Sequence, residues 1–180
     1  MQSSFKLPRS LLLVLILTFL SPGATAAEVS KEYQLKAVFL FHFAQFVEWP
    51  TNAFTTPESP ITLGVLGTNP FDNALQETVR GERVSGRSLV IKQFQRVEEI
   101  DLCHVLFISR SETAQLASVL GGLRDRSILT VSDSEAFNVK GGMIQFITEA
   151  NRIRFKINRK ATEAANLRLS SQLLRLAEVK

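Results

Sequence analysis

The chain runs to 180 residues, 45% of them hydrophobic and 21% charged, with 21 Lys and Arg against 17 Asp and Glu for a formal net charge of +4. That length is enough for one domain with a hydrophobic core of its own, so no disulfide framework is needed for folding. Two of the basic residues, Lys6 and Arg9, stand at the very start, so the basic balance argues little for a nucleic-acid partner.

Behind Lys6 and Arg9 comes an apolar block from Leu11 to Leu20, then Ser21-Pro22-Gly23 and Ala24-Thr25-Ala26. A basic start, a short apolar stretch and a small-x-small site are the parts of a secretory signal peptide. The block falls short of the roughly 20 apolar residues that span a bilayer. The expectation is cleavage after Ala26, which removes residues 1–26 and leaves 27–180 as one exported domain. Its formal charge is then +2, because the removed segment carries two basic residues and no acidic one. No Cys follows the site, which argues against a lipid-anchored start. No later apolar segment approaches spanning length, so the mature chain is expected not to be membrane-embedded. Export makes the single cysteine, Cys103, the odd feature. A buried thiol, an intermolecular bond and the survivor of a lost pair are all open.

The run from Lys36 to Pro50 packs in Phe39, Phe41, Phe43, Phe46 and Trp49, more aromatic surface than a soluble protein leaves in water. Phe39, Phe41 and Phe43 alternate as a strand would. However, Gln34, Val38, His42, Gln45 and Glu48 recur at spacings of four, four, three and three, one narrow stripe on a helix. Everything else from Leu35 to Val47 reads as apolar, so the helix is expected to be embedded over most of its circumference. Most of its phenylalanines then belong to the core. Pro50 pushes Trp49 out of helical geometry, and Thr51 to Pro60 reads as a loop.

Ile61 to Leu66 is a short apolar strand closed by the turn signal Gly67-Thr68-Asn69-Pro70. Phe71 to Val79 looks helical with Asp72 at its start, Gly81 to Ser88 is a polar turn region, and Leu89 to Phe94 a second strand. Past the acidic connector Val97 to Asp101, Val105 to Ile108 is a third strand. Ser111 suits an N-cap for a helix from Glu112 to Leu120, which Gly121-Gly122 ends. Ile128 to Val131 is a fourth strand, followed by a polar segment holding Asp133, Ser134 and Glu135. Gly141-Gly142 introduces Met143 to Thr148, which turns at Ala150-Asn151 into Arg152 to Asn158. There Ile153, Phe155 and Ile157 alternate with Arg154 and Lys156, a hairpin with one dry face and one wet. A helix from about Lys160 to Ala177 closes the chain, with Leu169, Leu173 and Leu176 in register. Strands alternating with helices predict a single α/β domain with a mostly parallel sheet, a C-terminal antiparallel hairpin and flanking helices.

A catalytic constellation is not found. Cys103 and His104 are adjacent at the entry of a buried strand, so their side chains point to opposite faces, the wrong geometry for a nucleophile and its base. The two histidines, His42 and His104, have no Cys or carboxylate grouping at a metal-ligand spacing. Gly64 to Pro70 lies where a phosphate loop would sit but lacks both G-x-G-x-x-G and G-K-[ST], so a tight turn is the better reading. The chain is therefore expected to have no catalytic, cofactor or metal site. What is left is a binding surface: the stripe His42, Gln45 and Glu48 with Trp49 at the helix break, and the basic hairpin face of Arg152 and Arg154 with Lys156, Arg159 and Lys160. That basic face suits solvent first, and an acidic partner or anionic membrane second. Trp49 and a sheet edge near Gly141 and Gly142 are expected to line any small-ligand pocket.

Seven blocks in order carry a resemblance over essentially the whole mature chain. They are Lys36-Ala37-Val38-Phe39-Leu40 leading to Phe46-Val47-Glu48-Trp49-Pro50, then Val65-Leu66-Gly67 with Asn69-Pro70-Phe71, and Cys103 through Ser109. After them come Leu129 to Asp133, Gly141 to Ile144, Arg154 to Asn158, and Leu169 to Leu174. Together they resemble the YfiR-like family. The resemblance implies a periplasmic, non-enzymatic regulator without cofactor. Such a regulator binds the periplasmic part of an inner-membrane diguanylate cyclase, represses it and so lowers cyclic-di-GMP. The resemblance also implies an outer-membrane lipoprotein that relieves the repression, and it leaves a homodimer open. The alternative is a small-ligand sensor module serving another membrane sensor such as a histidine kinase. Relatives often carry a Cys at the position of Gly64, paired with the one matching Cys103, and some carry a second pair around Gly141-Gly142. This chain lacks the partners, so an intramolecular disulfide switch is not expected.

Overall fold

The structure, a computed structural model, describes residues 23–150 and 152–179. The apolar block and Ser21-Pro22 of the expected signal peptide lie outside the described residues. Helix α1 (Gly23–Phe46) takes in the small-residue site and the aromatic run together. Ala37, Leu40, Phe41, Phe43 and Ala44 turn inward, while Gln34, Val38, His42 and Gln45 stay exposed, as the stripe predicts; Leu35, expected among the embedded residues, is exposed as well. The inward set contains one surprise. Lys36 is 1% exposed, in an arc that otherwise reads as apolar.

The sheet begins with β2 (Ile61–Leu66), whose six residues are all buried. It follows the two-residue β1 (Val47–Glu48) and a 3-10 turn. Next come α2 (Ala74–Val79), β3 (Arg83–Val84), β4 (Arg87–Phe94), β5 (Val105–Ile108), α3 (Leu116–Gly122), β6 (Leu129–Ser132), β7 (Ile144–Glu149) and β8 (Arg152–Ile157). The chain ends with α4 (Arg159–Ala164), β9 (Arg168–Leu169), α5 (Ser171–Leu176) and β10 (Glu178–Val179). The strand order is β10-β8-β7-β6-β5-β2-β4-β3. The stretch β4-β2-β5-β6-β7 is parallel throughout, and β8 returns antiparallel to β7. This is the expected α/β architecture.

Strand alternation sends side chains into two cores. Leu63, Val65, Val105, Phe107, Val131, Ile144, Phe146 and Phe155 pack against α1 and α2. Leu66, Phe94, Leu106 and Ile108 meet Leu116, Val119, Leu123 and Phe137 on the opposite side. The sheet is thus the middle of three layers.

Several boundaries differ from expectation for local reasons. Asp72 does not start α2: its φ is +48°, and Asn69 Oδ1 takes the Phe71 N–H (2.9 Å) in a turn before the helix begins at Ala74. The polar turn region holds a tight hairpin instead, with Ser85 and Gly86 at φ +51° and +80° joining β3 to β4. Ser109, not Ser111, caps the next helical segment, which runs as a 3-10 turn over Arg110–Gln115 before α3 starts. Gly141 and Gly142 are not at a sheet edge, because they lead into β7, between β6 and β8.

The largest difference is the C-terminal helix. Asn166 sits at φ +57°, which ends α4, and the chain then pairs β9 with β1 antiparallel before Ser170 caps α5 through the Leu173 N–H. Asn tolerates left-handed backbone and Ser favours a cap, so both breaks have a side-chain cause. Leu173 is buried as the register implies, but Leu176 is 63% exposed.

Candidate functional site

The aromatic residues of α1 do two jobs. Phe43 is fully buried and meets Phe155 edge-on at 5.1 Å and Phe146 at 5.7 Å, so β7 and β8 hold it in place. Phe39 and Phe46, one helical turn to either side, are only half buried. With Phe155, Leu173 and Leu176 they wall an apolar groove of about 280 Å³ between α1, β8 and α5. Its rim is polar: His42 Nδ1 and Gln45 Oε1 lie 2.9 Å apart, and the His42 ring lies flat against Phe46 at 6.2 Å. Leu35 and Val38 leave 46% and 38% of their surface in water further along the same helix.

Glu48 and Trp49 belong to a second hollow of about 560 Å³, closed on its other side by Asn166, Leu167 and Arg168. Glu48 and Arg168 pair across β1 and β9, so that ladder forms part of this hollow's wall. Trp49 meets His104 edge-on at 5.8 Å, and its Nε1 is buried with no hydrogen-bond acceptor. The residues of the expected strip are thus divided, His42 and Gln45 lining the groove and Glu48 and Trp49 the second hollow. Gly141 lines a different concavity, at the end of the sheet where β6 and β7 begin. Gly142 is packed under Phe137, whose ring a Cβ there would strike at 2.2 Å. Trp49 and Gly141-Gly142 do not share a pocket, contrary to expectation. Arg152 and Arg154 line none of these hollows. They lie on the wet face of the hairpin, where Glu149 stands opposite Arg152 and reaches Arg154 at 3.9 Å.

Cys103 and His104 do face opposite ways. The Cys103 thiol is buried among Phe94 and Leu106, and burial pushes its pKa up to about 12. His104 accepts the Thr62 N–H at Nδ1 (3.0 Å), which puts its proton on Nε2, 3.2 Å from the Ala53 carbonyl. It stacks on Phe54 at 4.5 Å. Burial pushes its pKa down to about 4, with the Arg87 cation adding to the shift. Both ring nitrogens are thus engaged in holding the 51–54 turn on the sheet. Among the described residues, no group of three or more His, Cys, Asp and Glu could hold a metal ion.

The crevice beyond the carboxyl ends of β2 and β5, where doubly wound sheets bind ligands, is occupied. Gly67 (φ +83°) packs so closely that a Cβ there would meet Ser111 Oγ and the Glu112 carboxylate. Glu112 itself takes hydrogen bonds from Ser111 Oγ (2.8 Å) and Gln115 Nε2 (2.5 Å). A buried carboxylate in that place repels a phosphate, which disposes of the phosphate-loop reading on charge as well as on sequence.

One charged cluster escaped the sequence reading. Lys36 Nζ donates to Asp133 Oδ2 at 2.5 Å, Tyr33 Oη donates to the same oxygen at 2.8 Å, and Glu32 lies 2.6 Å from Lys36. Arg110 reaches the other Asp133 oxygen at 3.3 Å, an ion pair without hydrogen-bond geometry. Burial alone would raise the Asp133 carboxyl. Lys36, Tyr33 and Arg110 outweigh it and hold the group below the usual carboxylate range. Burial and the Asp133 charge push the Tyr33 phenol up. The available signal was a lysine inside an apolar helical arc, together with an aspartate just past a buried strand.

Residues 33–178 match the model of the DUF4154 family, described as YfiR/HmsC-like. No curated protein matches the chain.

Proposed function

Because the chain belongs to the YfiR/HmsC-like family, whose members are periplasmic regulators rather than enzymes, we propose that it represses an inner-membrane diguanylate cyclase by docking on the cyclase's periplasmic part. The observation that carries the reading is the apolar groove between α1 and α5, with Leu176 and Val38 left in water beside it. A groove of that shape takes an amphipathic helix or strand of a partner as its anchor. Binding there removes apolar surface from water at roughly 25 cal/mol per Å², while the His42–Gln45 rim supplies orientation. Glu48 and Trp49 offer a second contact from their own hollow. The basic hairpin face of Arg152 and Arg154 supplies long-range attraction to an acidic partner. An outer-membrane lipoprotein that competes for the same groove would relieve the repression.

The test is cellular and biochemical together. Deleting the gene should raise cyclic-di-GMP, and restoring the wild type should lower it. Cross-linking in the periplasm, followed by purification of the tagged protein, should recover a membrane protein with a diguanylate cyclase domain. Unchanged cyclic-di-GMP with no membrane sensor recovered sinks the proposal.

A further inference from the structure

A third concavity, of about 390 Å³, lies at the end of the sheet where β6 and β7 begin, and shares no lining residue with the groove or with the Trp49 hollow. Its volume is about thirteen waters' worth and falls in the range of small-molecule pockets. Ala117, Leu123, Met143 and Ala164 give it an apolar wall. Arg124, Arg126 and Lys140 converge on it, against the single acid Asp125. None of these three cations forms an ion pair among the described residues. The Arg126 guanidinium donates to the Asp101 carbonyl, at 3.0 Å. Thr130 on β6 adds a buried hydroxyl that accepts the Met143 N–H (3.2 Å) and keeps its own proton to give.

Charge decides the ligand class. The lining side chains sum to +2. The C-termini of α3 and α4 also close on the cavity, and each returns at most about half a negative charge. At least one positive charge is left uncompensated, enough to match one carboxylate. Arg124 offers the planar fork that a carboxylate fits, and Lys140 a second point charge. We propose that this cavity binds a small organic monocarboxylate with a compact apolar body, the carboxylate toward Arg124 and Lys140 and the body against Met143 and Ala164.

Benzoate and 4-methylpentanoate serve as probes, with benzamide as the uncharged control, at constant ionic strength. The purified exported protein should show a saturable rise in melting temperature with either acid and none with benzamide. The Arg124→Gln, Lys140→Gln double variant should weaken the response at least tenfold. Ala164→Leu, which takes up part of the space for the apolar body without touching charge, should weaken it as well. All three positions are exposed, so these variants should melt like the wild type when no acid is present. Arg152→Gln, on the hairpin, should leave the response unchanged. No saturable shift with either acid overturns the proposal. An equal shift in every variant overturns it too, as a general anion effect. The readout needs no cyclase, so it stands or falls apart from the partner proposal.

Discussion

Lys36 on α1 and Asp133 just past β6 meet at 2.5 Å with both side chains out of water, joining positions 97 residues apart. The contact fixes the middle of α1 to the carboxyl end of the sheet. Removing one member of a buried pair leaves the other uncompensated and typically costs 3–5 kcal/mol. Here Tyr33 and Arg110 remain with Asp133, so Lys36→Met should sit at the lower end, about 3 kcal/mol. That corresponds to a fall of roughly 6–12 °C in melting temperature for a domain of this size. The double variant Lys36→Met, Asp133→Leu should recover most of the loss. A single variant within 1 °C of the wild type would show that the pair contributes nothing.

Two pH windows should separate in acid melts. His104 is neutral in the fold, its pKa down at about 4 against an ordinary value near 6.5. A lowered histidine contributes stability that is fully present above the unfolded value and is lost as pH falls through the folded one. Melting temperature should therefore decline between about pH 6.5 and 4, and His104→Gln should flatten that decline while lowering the plateau at pH 7. Asp133 acts below this window. Its depressed carboxyl contributes stability present above about pH 3.9 and lost as pH falls through its lower folded value. Asp133→Asn should remove only the lower step. A wild-type curve flat from pH 7 to 4 would refute the histidine assignment.

How much of this was legible follows from where the determining contacts lie. β2 and β5 are read residue for residue, because an apolar run bounded by Pro60, Gly67 and Ser109 holds its own limits. The exposed stripe of α1 is equally local. The Lys36–Asp133 pair is not, since nothing near either residue announces the other. The break at Asn166 was visible as a residue type but was overruled by the spacing of Leu169, Leu173 and Leu176. That misreading also hid the groove, whose outer wall exists only because α5 starts afresh at Ser171 and carries Leu176 to the mouth.

Gly64 and Cys103 lie close enough for an engineered bridge. A Cβ built on Gly64 lies 2.8 Å from Cys103 Sγ, close to the separation of about 3 Å between a Cβ and the far sulfur of a bridge. Gly64→Cys should therefore oxidise to an intramolecular bond with no free thiol left. The closed loop of about forty residues should stabilise the fold by ~2–4 kcal/mol. Reduced, the same variant should be less stable than the wild type by about 1–3 kcal/mol, because the new side chain also crowds Phe94 and Leu106. Persistent free thiols under oxidising conditions would disprove the geometry.

The groove separates stability from binding by position. Phe43 is fully enclosed by Phe146 and Phe155, so Phe43→Ala should cost about 3–5 kcal/mol through the cavity it leaves. Leu176 stands mostly in water and Val38 is exposed over more than a third of its surface, so Leu176→Glu should change stability by no more than about 0.5 kcal/mol and Val38→Glu by no more than about 1 kcal/mol. If the groove anchors a partner, those same charges must be desolvated on docking, at a cost of several kcal/mol. Each should therefore lower recovery of the cross-linked membrane protein at least tenfold and raise cyclic-di-GMP toward the deletion level, with urea unfolding changed by no more than those amounts. Arg154→Gln, on the hairpin, should act mainly through the rate of association and its salt dependence. Wild-type repression by Leu176→Glu and Val38→Glu together would move the docking surface away from α1, with the Trp49 hollow the next place to probe by Glu48→Arg.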